Sequence, residues 1–380
     1  MKIGILTLPL YRNYGGILQA FALQTILENM GHEVVVFQRD LAPNVDIPLW
    51  RKPLSYGKKL VIKIIKDKRE VIFWDKKYKL EYPTIHHHFI EFFSKNMHLY
   101  DVNRIEDIAS LELDCIIVGG DQIWRPQCVK TAWDTSIDKM FLSFLEEKKS
   151  KIISFSASFG SERWEYSEQD TLKCKQAIKR FDAVSVREED GVKFCLEYFD
   201  VKAHHVLDPV MLLTGEDYIR LLGIKVNKTN GNQLFSYILD RTKEKESLIQ
   251  RVCEDKKLKH FYLNFNNIDK YAPLEERILP SVEEWVAGFC LADFVVTDSF
   301  HGCVLSILFG KPFIAVGNVS RGISRFTSLM KMFGTESNLI SGIDQYDPSF
   351  SYELPKNINS VLQSQKYISE SYLYRELSNT

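Results

Sequence analysis

The feature that most constrains this chain is a repeated rhythm. Short β-branched and aliphatic runs end in a polar turn bearing glycine or aspartate, and a helical stretch follows. Residues 2–7 are the first such run and Asn13-Tyr14-Gly15-Gly16 is the turn; Ala20, Leu23, Leu27 and Met30 then line one face of a helix. Gly31 stops that helix, and residues 34–37 begin the next strand. Strand, helix and parallel strand make a right-handed βαβ unit. The rhythm returns at residues 114–118, 151–155, 183–187 and 205–209, with helices at 167–180 and 189–198. It returns again at 233–239, 259–263, 294–297 and 312–316, with helices at 243–256, 304–309 and 323–333. Ser281 and Glu284 form a capping box at the start of one further helix. This pattern predicts an α/β fold of two doubly wound, Rossmann-like domains facing a cleft.

A chain of 380 residues has room for two such domains. Pro209 and Gly215 place the end of the N-terminal domain near residue 215. The C-terminal domain then covers 216–345, and a tail at 346–380 is expected to pack back on the first domain. Residues 41–110 break the rhythm and read as a helical insertion on the acceptor side. Within it, residues 51–79 carry 11 Lys and Arg against 3 Asp and Glu, a local charge of +8. Leu60, Ile64, Ile65, Phe73 and Trp74 add apolar surface there. The segment is either a solvated cover over the sheet or a face for an anionic membrane or acceptor.

The net charge of −1 provides no general basic field for nucleic acid. Seven scattered cysteines form no CxxC pair, which argues against a zinc cluster and for free thiols in a reducing cytosol. The apolar start, residues 3–10, contains Pro9 and lacks a small-residue cleavage site, so it does not read as a signal peptide. No run approaches the ~20 apolar residues that cross a bilayer. The expectation is a cytoplasmic protein, with peripheral contact at the inner membrane face through residues 51–79.

In open parallel sheets, chemistry collects where strands deliver their carboxyl ends to loops. Five loops carry unusual polar residues there. Asn13-Tyr14-Gly15-Gly16 precedes a helix, and its glycines either let backbone N–H groups approach an anion or serve the turn alone. In Gly119-Gly120-Asp121-Gln122-Ile123-Trp124, Asp121 and Gln122 can hold sugar hydroxyls, or Asp121 caps a helix. Arg187 closes the buried run 183–187. Its guanidinium needs either an anionic ligand, gripped through two hydrogen bonds, or a structural carboxylate such as Glu188 or Glu189. Thr297-Asp298-Ser299-Phe300-His301-Gly302 joins an apolar strand to a wholly apolar helix, with His301 in its first turn. Unpaired N–H groups there suit a phosphate beside an imidazole, although a lone histidine is more often structural. Arg321 and Arg325 follow the next strand, as cleft residues or as solvated arginines of a surface turn. His86-His87-His88 has no acidic or cysteine partner at metal spacing, and no DxD motif is present. No metal or cofactor is expected.

Taken in order, Asn13-Tyr14-Gly15 with Gln19-Ala20, Gly119 to Trp124, Ser185-Val186-Arg187-Glu188, Leu207-Asp208-Pro209, Asp293 to Gly302 and Arg321-Gly322 resemble the polysaccharide pyruvyl transferase family. The resemblance spans residues 1 to about 334 and leaves out 41–110 and the tail. It implies a GT-B-like fold, with phosphoenolpyruvate as donor and a sugar diol as acceptor. The acceptor would belong to a capsular or exopolysaccharide repeat unit, in a lipid-linked form in some settings. It further implies that His301 is the catalytic acid. Arg187 would bind the donor, with Ser299 and with Arg321 or Arg325 at the donor phosphate. Asn13, Tyr14, Gly15, Asp121 and Gln122 would line the active-site loops and the acceptor side. Two other readings fit the architecture: a glycosyltransferase that uses a nucleotide sugar, and a noncatalytic sugar-binding scaffold protein.

Overall fold

The computed structural model describes residues 1–11, 13–39, 49–65, 71–145, 147, 149–226, 231–263, 271–317 and 322–378. Its first half is built on seven parallel strands. These are β1 (Lys2–Leu6), β2 (Glu33–Gln38), β3 (Leu99–Asp101), β4 (Cys115–Gly120), β5 (Lys151–Ala157), β6 (Ser185–Val186) and β7 (His204–His205), in the spatial order β3-β2-β1-β4-β5-β6-β7. The second half has five: β8 (Gln233–Tyr237), β9 (Lys259–Phe261), β10 (Phe294–Thr297), β11 (Phe313–Val316) and β12 (Leu339–Ile340), in the order β12-β11-β10-β8-β9.

Central strands are buried on both faces and therefore read as unbroken apolar runs. Ile5 lies in register with Val36 on one side and Ile117 on the other. In the second sheet Val295 lies between Phe235 and Phe313. Helices follow the strands. Those of the first half are α1 (Tyr14–Asn29), α2 (Lys52–Ile65), α3 (Trp74–Ile85), α4 (His87–Asn96), α5 (Pro126–Ala132), α6 (Glu168–Ile178) and α7 (Glu189–Phe199). Then come α8 (Gly215–Leu221), α9 (Lys243–Lys256), α10 (Val282–Leu291), α11 (Phe300–Leu308), α12 (Ser324–Phe333) and α13 (Ile358–Ser378). Helix α1 is buried on nearly every side, which its apolar sequence requires. The capping box of Ser281 and Glu284 opens α10.

Several segments, α5, α8 and β12 among them, depart from the sequence expectation, and two more are instructive. Residues 99–101 fall inside the stretch read as a helical insertion, yet they form the edge strand β3, paired with β2 through Leu99 and Val36. Three residues, Leu-Tyr-Asp, are too short to show a two-residue period. The second is α13, for which no helix was read. Its Tyr372 hydroxyl donates to the Ser154 carbonyl at 2.9 Å, and its Ser369 hydroxyl accepts from the Leu207 N–H at 2.9 Å.

The halves also meet through the helical segment. The Leu279 N–H donates to the Ile85 carbonyl at 3.1 Å, Arg277 pairs with Glu81, and the Arg277 guanidinium lies 5.4 Å from the Trp74 ring centre. In each sheet the strand order reverses at one point, beside β1 in the first and beside β8 and β10 in the second. The loops there face one another, and this is where an open parallel sheet offers a binding crevice.

Candidate active site

From the first half, the loop after β1 delivers Asn13 and the start of α1. The Asn13 side chain accepts from the Gly16 N–H at 3.1 Å and caps that helix. From the second half, β10 delivers Asp298, Ser299 and the start of α11. Asp298 is taken up structurally: it accepts from the Leu239 and Asp240 N–H groups and pairs with Lys245 at 2.6 Å. Ser299 caps α11, accepting from the Gly302 N–H at 3.4 Å. His301 then projects from the first turn of α11 onto the backbone of Gly15. A side chain at position 15 would overlap the imidazole, so glycine is required there for close approach.

Around that ring lies a buried charge cluster. Arg187, at the end of β6, donates to Asp208 at 2.6 Å and to Asp121 at 2.8 Å; Glu188 is 3.5 Å away. Arg325, from α12 in the second half, donates to the same Asp121 oxygen at 2.6 Å. Both guanidinium groups flank the Phe300 ring, at 4.2 and 5.8 Å from its centre. His301 Nε2 lies 3.6 Å from the Asp208 oxygen that Arg187 also contacts. That is beyond a hydrogen bond, and this nitrogen has no hydrogen-bond partner among the described residues. A buried, unpartnered imidazole nitrogen is costly for stability and points to function. Gln19 ties the cluster together, donating to Asp208 at 2.9 Å and accepting from the Asp121 N–H at 2.8 Å.

Electrostatics follow from this packing. Burial opposes ionisation of Asp121, but Arg325 and Arg187 outweigh it and hold the carboxyl far below the usual range. Asp208 is likewise held down against burial, by His301 and Arg187. Glu188 goes the other way. Burial outweighs Arg187 and the hydroxyl of Ser158 and pushes it up. Arg187 remains firmly charged, burial being outweighed by Asp121 and Asp208.

The remaining site candidates divide. Asn13 Nδ2 reaches Asp121 at 3.5 Å. Tyr14 turns away from His301. Its hydroxyl donates to the Pro280 carbonyl at 2.6 Å, and its ring packs on Phe89 and Trp285 at 4.9 and 5.3 Å. Gln122 also turns away, accepting from Arg125 at 2.9 Å beside the Arg125–Glu165 pair. Arg321 lies outside the described residues. The cleft expected between the domains is closed at this point: His301 is 4% exposed, and carboxylates of the protein pair with both guanidinium groups. Asp208, Gln19 and Phe300 join the cluster without having been read as site residues. The signal for Asp208 was its place at the carboxyl end of an apolar run, and for Gln19 its amide inside an otherwise apolar helix.

The profile of one family, polysaccharide pyruvyl transferase, matches residues 13–320. The chain belongs to that family. Membership makes the protein a transferase, and the matched span contains Arg187, Asp208 and His301. Among solved structures, UGT89C1 of Arabidopsis thaliana complexed with UDP is similar, with a TM-score of 0.50 at 11% identity, covering 97% of this chain and 94% of that one. The UDP-GlcNAc 2-epimerase of Neisseria meningitidis bound to UDP-GlcNAc has a TM-score of 0.47 at 11% identity, over 99% and 93%. A putative UDP-N-acetylglucosamine 2-epimerase of Listeria monocytogenes has 0.46 at 10%, over 97% of each chain. At these identities the likeness concerns the fold, two Rossmann-like domains in the GT-B manner. No curated protein matches the chain. Among the described residues no helix is long and apolar enough to cross a membrane, and no cluster of three or more histidine, cysteine or acidic side chains is placed to hold a metal ion.

Proposed function

We propose that this family member transfers a pyruvyl group from phosphoenolpyruvate to a sugar diol of a surface-polysaccharide repeat unit, releasing phosphate and leaving a ketal. The observation that carries this reading is His301. Its ring nitrogen is buried without a hydrogen bond, 3.6 Å from the Asp208 oxygen that Arg187 contacts, in a cluster that Arg325 joins from the opposite half. Arg187 and Arg325 bind the donor's carboxylate and phosphate, and Ser299 and the N–H groups opening α11 lie at the phosphate end. Arg321 is the other candidate for the phosphate. Asn13 and Asp121 border the acceptor side.

The chemistry balances with these groups. The π pair of the enol takes a proton from protonated His301, so that the methylene carbon becomes methyl and the adjacent carbon becomes oxocarbenium-like. One sugar hydroxyl forms a C–O bond there and gives up its proton. Phosphate leaves with its C–O electron pair, and the second hydroxyl closes the ketal. The two hydroxyl protons account for the new methyl hydrogen, by way of His301, and for the hydrogen on the released phosphate. A positioned acid of this kind contributes about 10²–10⁴-fold. Because the cluster is closed, the halves part to admit the donor. At α12 and α7 this separation breaks Ser324 to Asp190 at 2.7 Å and Lys331 to Glu189 at 2.8 Å, while the apolar packing of Tyr14 on Trp285 is a contact that resists it.

The test is phosphate release from phosphoenolpyruvate in the presence of acceptor oligosaccharide, with the ketal read by mass. His301→Gln should lose turnover and keep its fold. Wild-type turnover in that variant would remove His301 as the acid. Thermal stabilisation by a nucleotide sugar, and none by phosphoenolpyruvate, would favour a glycosyltransferase instead.

A further inference from the structure

We propose that α2 is a docking helix by which this protein lies on an anionic lipid surface. Helix α2 packs none of its residues into the interior. Leu54, Val61, Ile64 and Ile65 fall on one face by helical spacing, and all four point to solvent, with Leu54 80%, Ile64 71% and Ile65 74% exposed. Trp50, 74% exposed, stands just before the helix. Lys52, Lys59 and Lys63 run along the opposite side, and Arg51 and Lys58 flank the apolar stripe. That opposite side is tied to the body of the protein: the Tyr56 hydroxyl donates to Asp75 at 2.8 Å, and its ring meets Phe73 at 4.8 Å.

Single exposed aliphatic residues are ordinary, but a helical stripe of them with nothing packed over it among the described residues is not. Charge decides what covers it. Residues 51–79 carry +8 in a chain whose total is −1, so the remainder carries −9. An anionic surface attracts this face and repels the rest, which fixes the orientation of the protein as well as its attachment. A second copy would set two such basic segments against each other. Aliphatic and tryptophan side chains on one face with lysines on the other is the composition that settles at a lipid headgroup boundary.

Docking there connects to the cleft through packed elements. From α2 the contacts run to α3 through Tyr56 and Asp75. Phe89 of α4 packs on Tyr14, whose neighbour Gly15 touches His301. An acceptor sugar carried on a lipid would therefore reach the enzyme on the side where its helical segment is attached. That last step rests on the proposed transferase reading, whereas the docking itself does not.

The experiment is co-sedimentation of the full chain with vesicles of phosphatidylcholine, alone or mixed with phosphatidylglycerol. The expected result is binding to the mixed vesicles alone, weakening with salt, and a blue shift of emission that Trp50→Phe removes. V61D/I64D should cut partitioning by roughly a hundredfold, and K58Q/K63Q by about thirtyfold. Both should leave phosphate release with a water-soluble acceptor fragment unchanged. Indifference to lipid charge, or binding that survives both double variants, would overturn the proposal. So would a concentration-dependent dimer that V61D/I64D abolishes, or capture of an acidic protein without any vesicle binding. Vesicle binding by a protein that releases no phosphate from phosphoenolpyruvate would leave the docking intact and defeat the transferase reading.

Discussion

Asp121→Asn separates the structural role of the charge cluster from its proposed role in binding the donor. One carboxylate oxygen accepts from Arg187 at 2.8 Å and from Arg325 at 2.6 Å, and so joins the two halves. Asparagine keeps a carbonyl acceptor of the same shape and loses the charge. A hydrogen bond to a charged acceptor contributes about 1 kcal/mol more than one to a neutral acceptor, and two are affected, so the direct loss is about 2 kcal/mol. Removal of a buried partner leaves guanidinium charge less compensated, which brings the total to about 3 kcal/mol, at the lower end for a broken buried pair. At about 1.3 °C per kcal/mol for a chain of 380 residues, Tm should fall by about 4 °C. The effect depends on pH. The Asp121 carboxyl is held far below its usual range, because the two arginines outweigh burial. Its stabilisation is therefore complete above the unfolded-state value near pH 4 and is lost as pH falls toward the much lower folded value. The Tm gap between wild type and variant should be constant from pH 8 to 5 and shrink below pH 4. Scanning calorimetry with and without phosphoenolpyruvate measures both roles. If the donor takes the seat that Asp121 holds, the variant gains more Tm from phosphoenolpyruvate than wild type does. A variant as stable as wild type, or one that gains no more from the donor, would refute the reasoning.

Three further changes probe the same cluster. His301→Gln should lower kcat by about 10²–10⁴-fold with far-ultraviolet circular dichroism unchanged, as read by phosphate release. Gly15→Ala places a methyl group where the imidazole stands, so it should cost about 1–3 kcal/mol in denaturant unfolding and misplace His301, lowering kcat more than it raises KM. Glu188→Gln acts through pH: burial raises the Glu188 carboxyl, so its contribution is present below the unfolded-state value and lost as pH rises through the folded one. The glutamine variant should show a flatter Tm profile between pH 5 and 8, and an unchanged profile would contradict the assigned burial.

The sheets were legible because a strand buried on both faces has to be apolar along its whole length. Residues 115–118 and 294–297 could hardly be anything else. His301 and Arg187 stood out for the converse reason: each ends or follows such a run as a polar side chain cut off from water. Asp121 and Arg325 were also candidates, but the pairings were not legible: Asp208 meets Gln19 across 189 positions and Asp121 meets Arg325 across 204, separations over which no local period exists. The closed state of the cluster was illegible for the same reason. Arginine after a buried strand requires an anion, but sequence does not say whether a ligand or a distant carboxylate provides it. Helix α13 escaped although Ile358, Val361, Leu362, Tyr372, Leu373 and Leu377 recur at helical spacing, because Gln365 and Ser369 interrupt that face and Tyr367, Ile368 and Tyr374 put apolar side chains on the exposed one.

Charge balance in the closed cluster explains why the site is built from so many carboxylates. Asp121 and Asp208 offset Arg187 and Arg325, and burial pushes Glu188 toward its uncharged form. A compartment without charged ligand is thereby near neutral and can be buried, which two bare guanidinium groups could not be. The proposed donor, bearing a carboxylate and a phosphate, would upset that balance unless a carboxylate left or protons were taken up. Asp121 is the group placed to leave. It spans the two halves through one oxygen, its side chain is the least buried of the three acids, and the loop that carries it opens at Gly120, whose positive φ lets the backbone press against Thr7. On this view an internal anion holds the arginines in register while the cleft is empty, and exchanging it for the donor couples binding to movement of the halves.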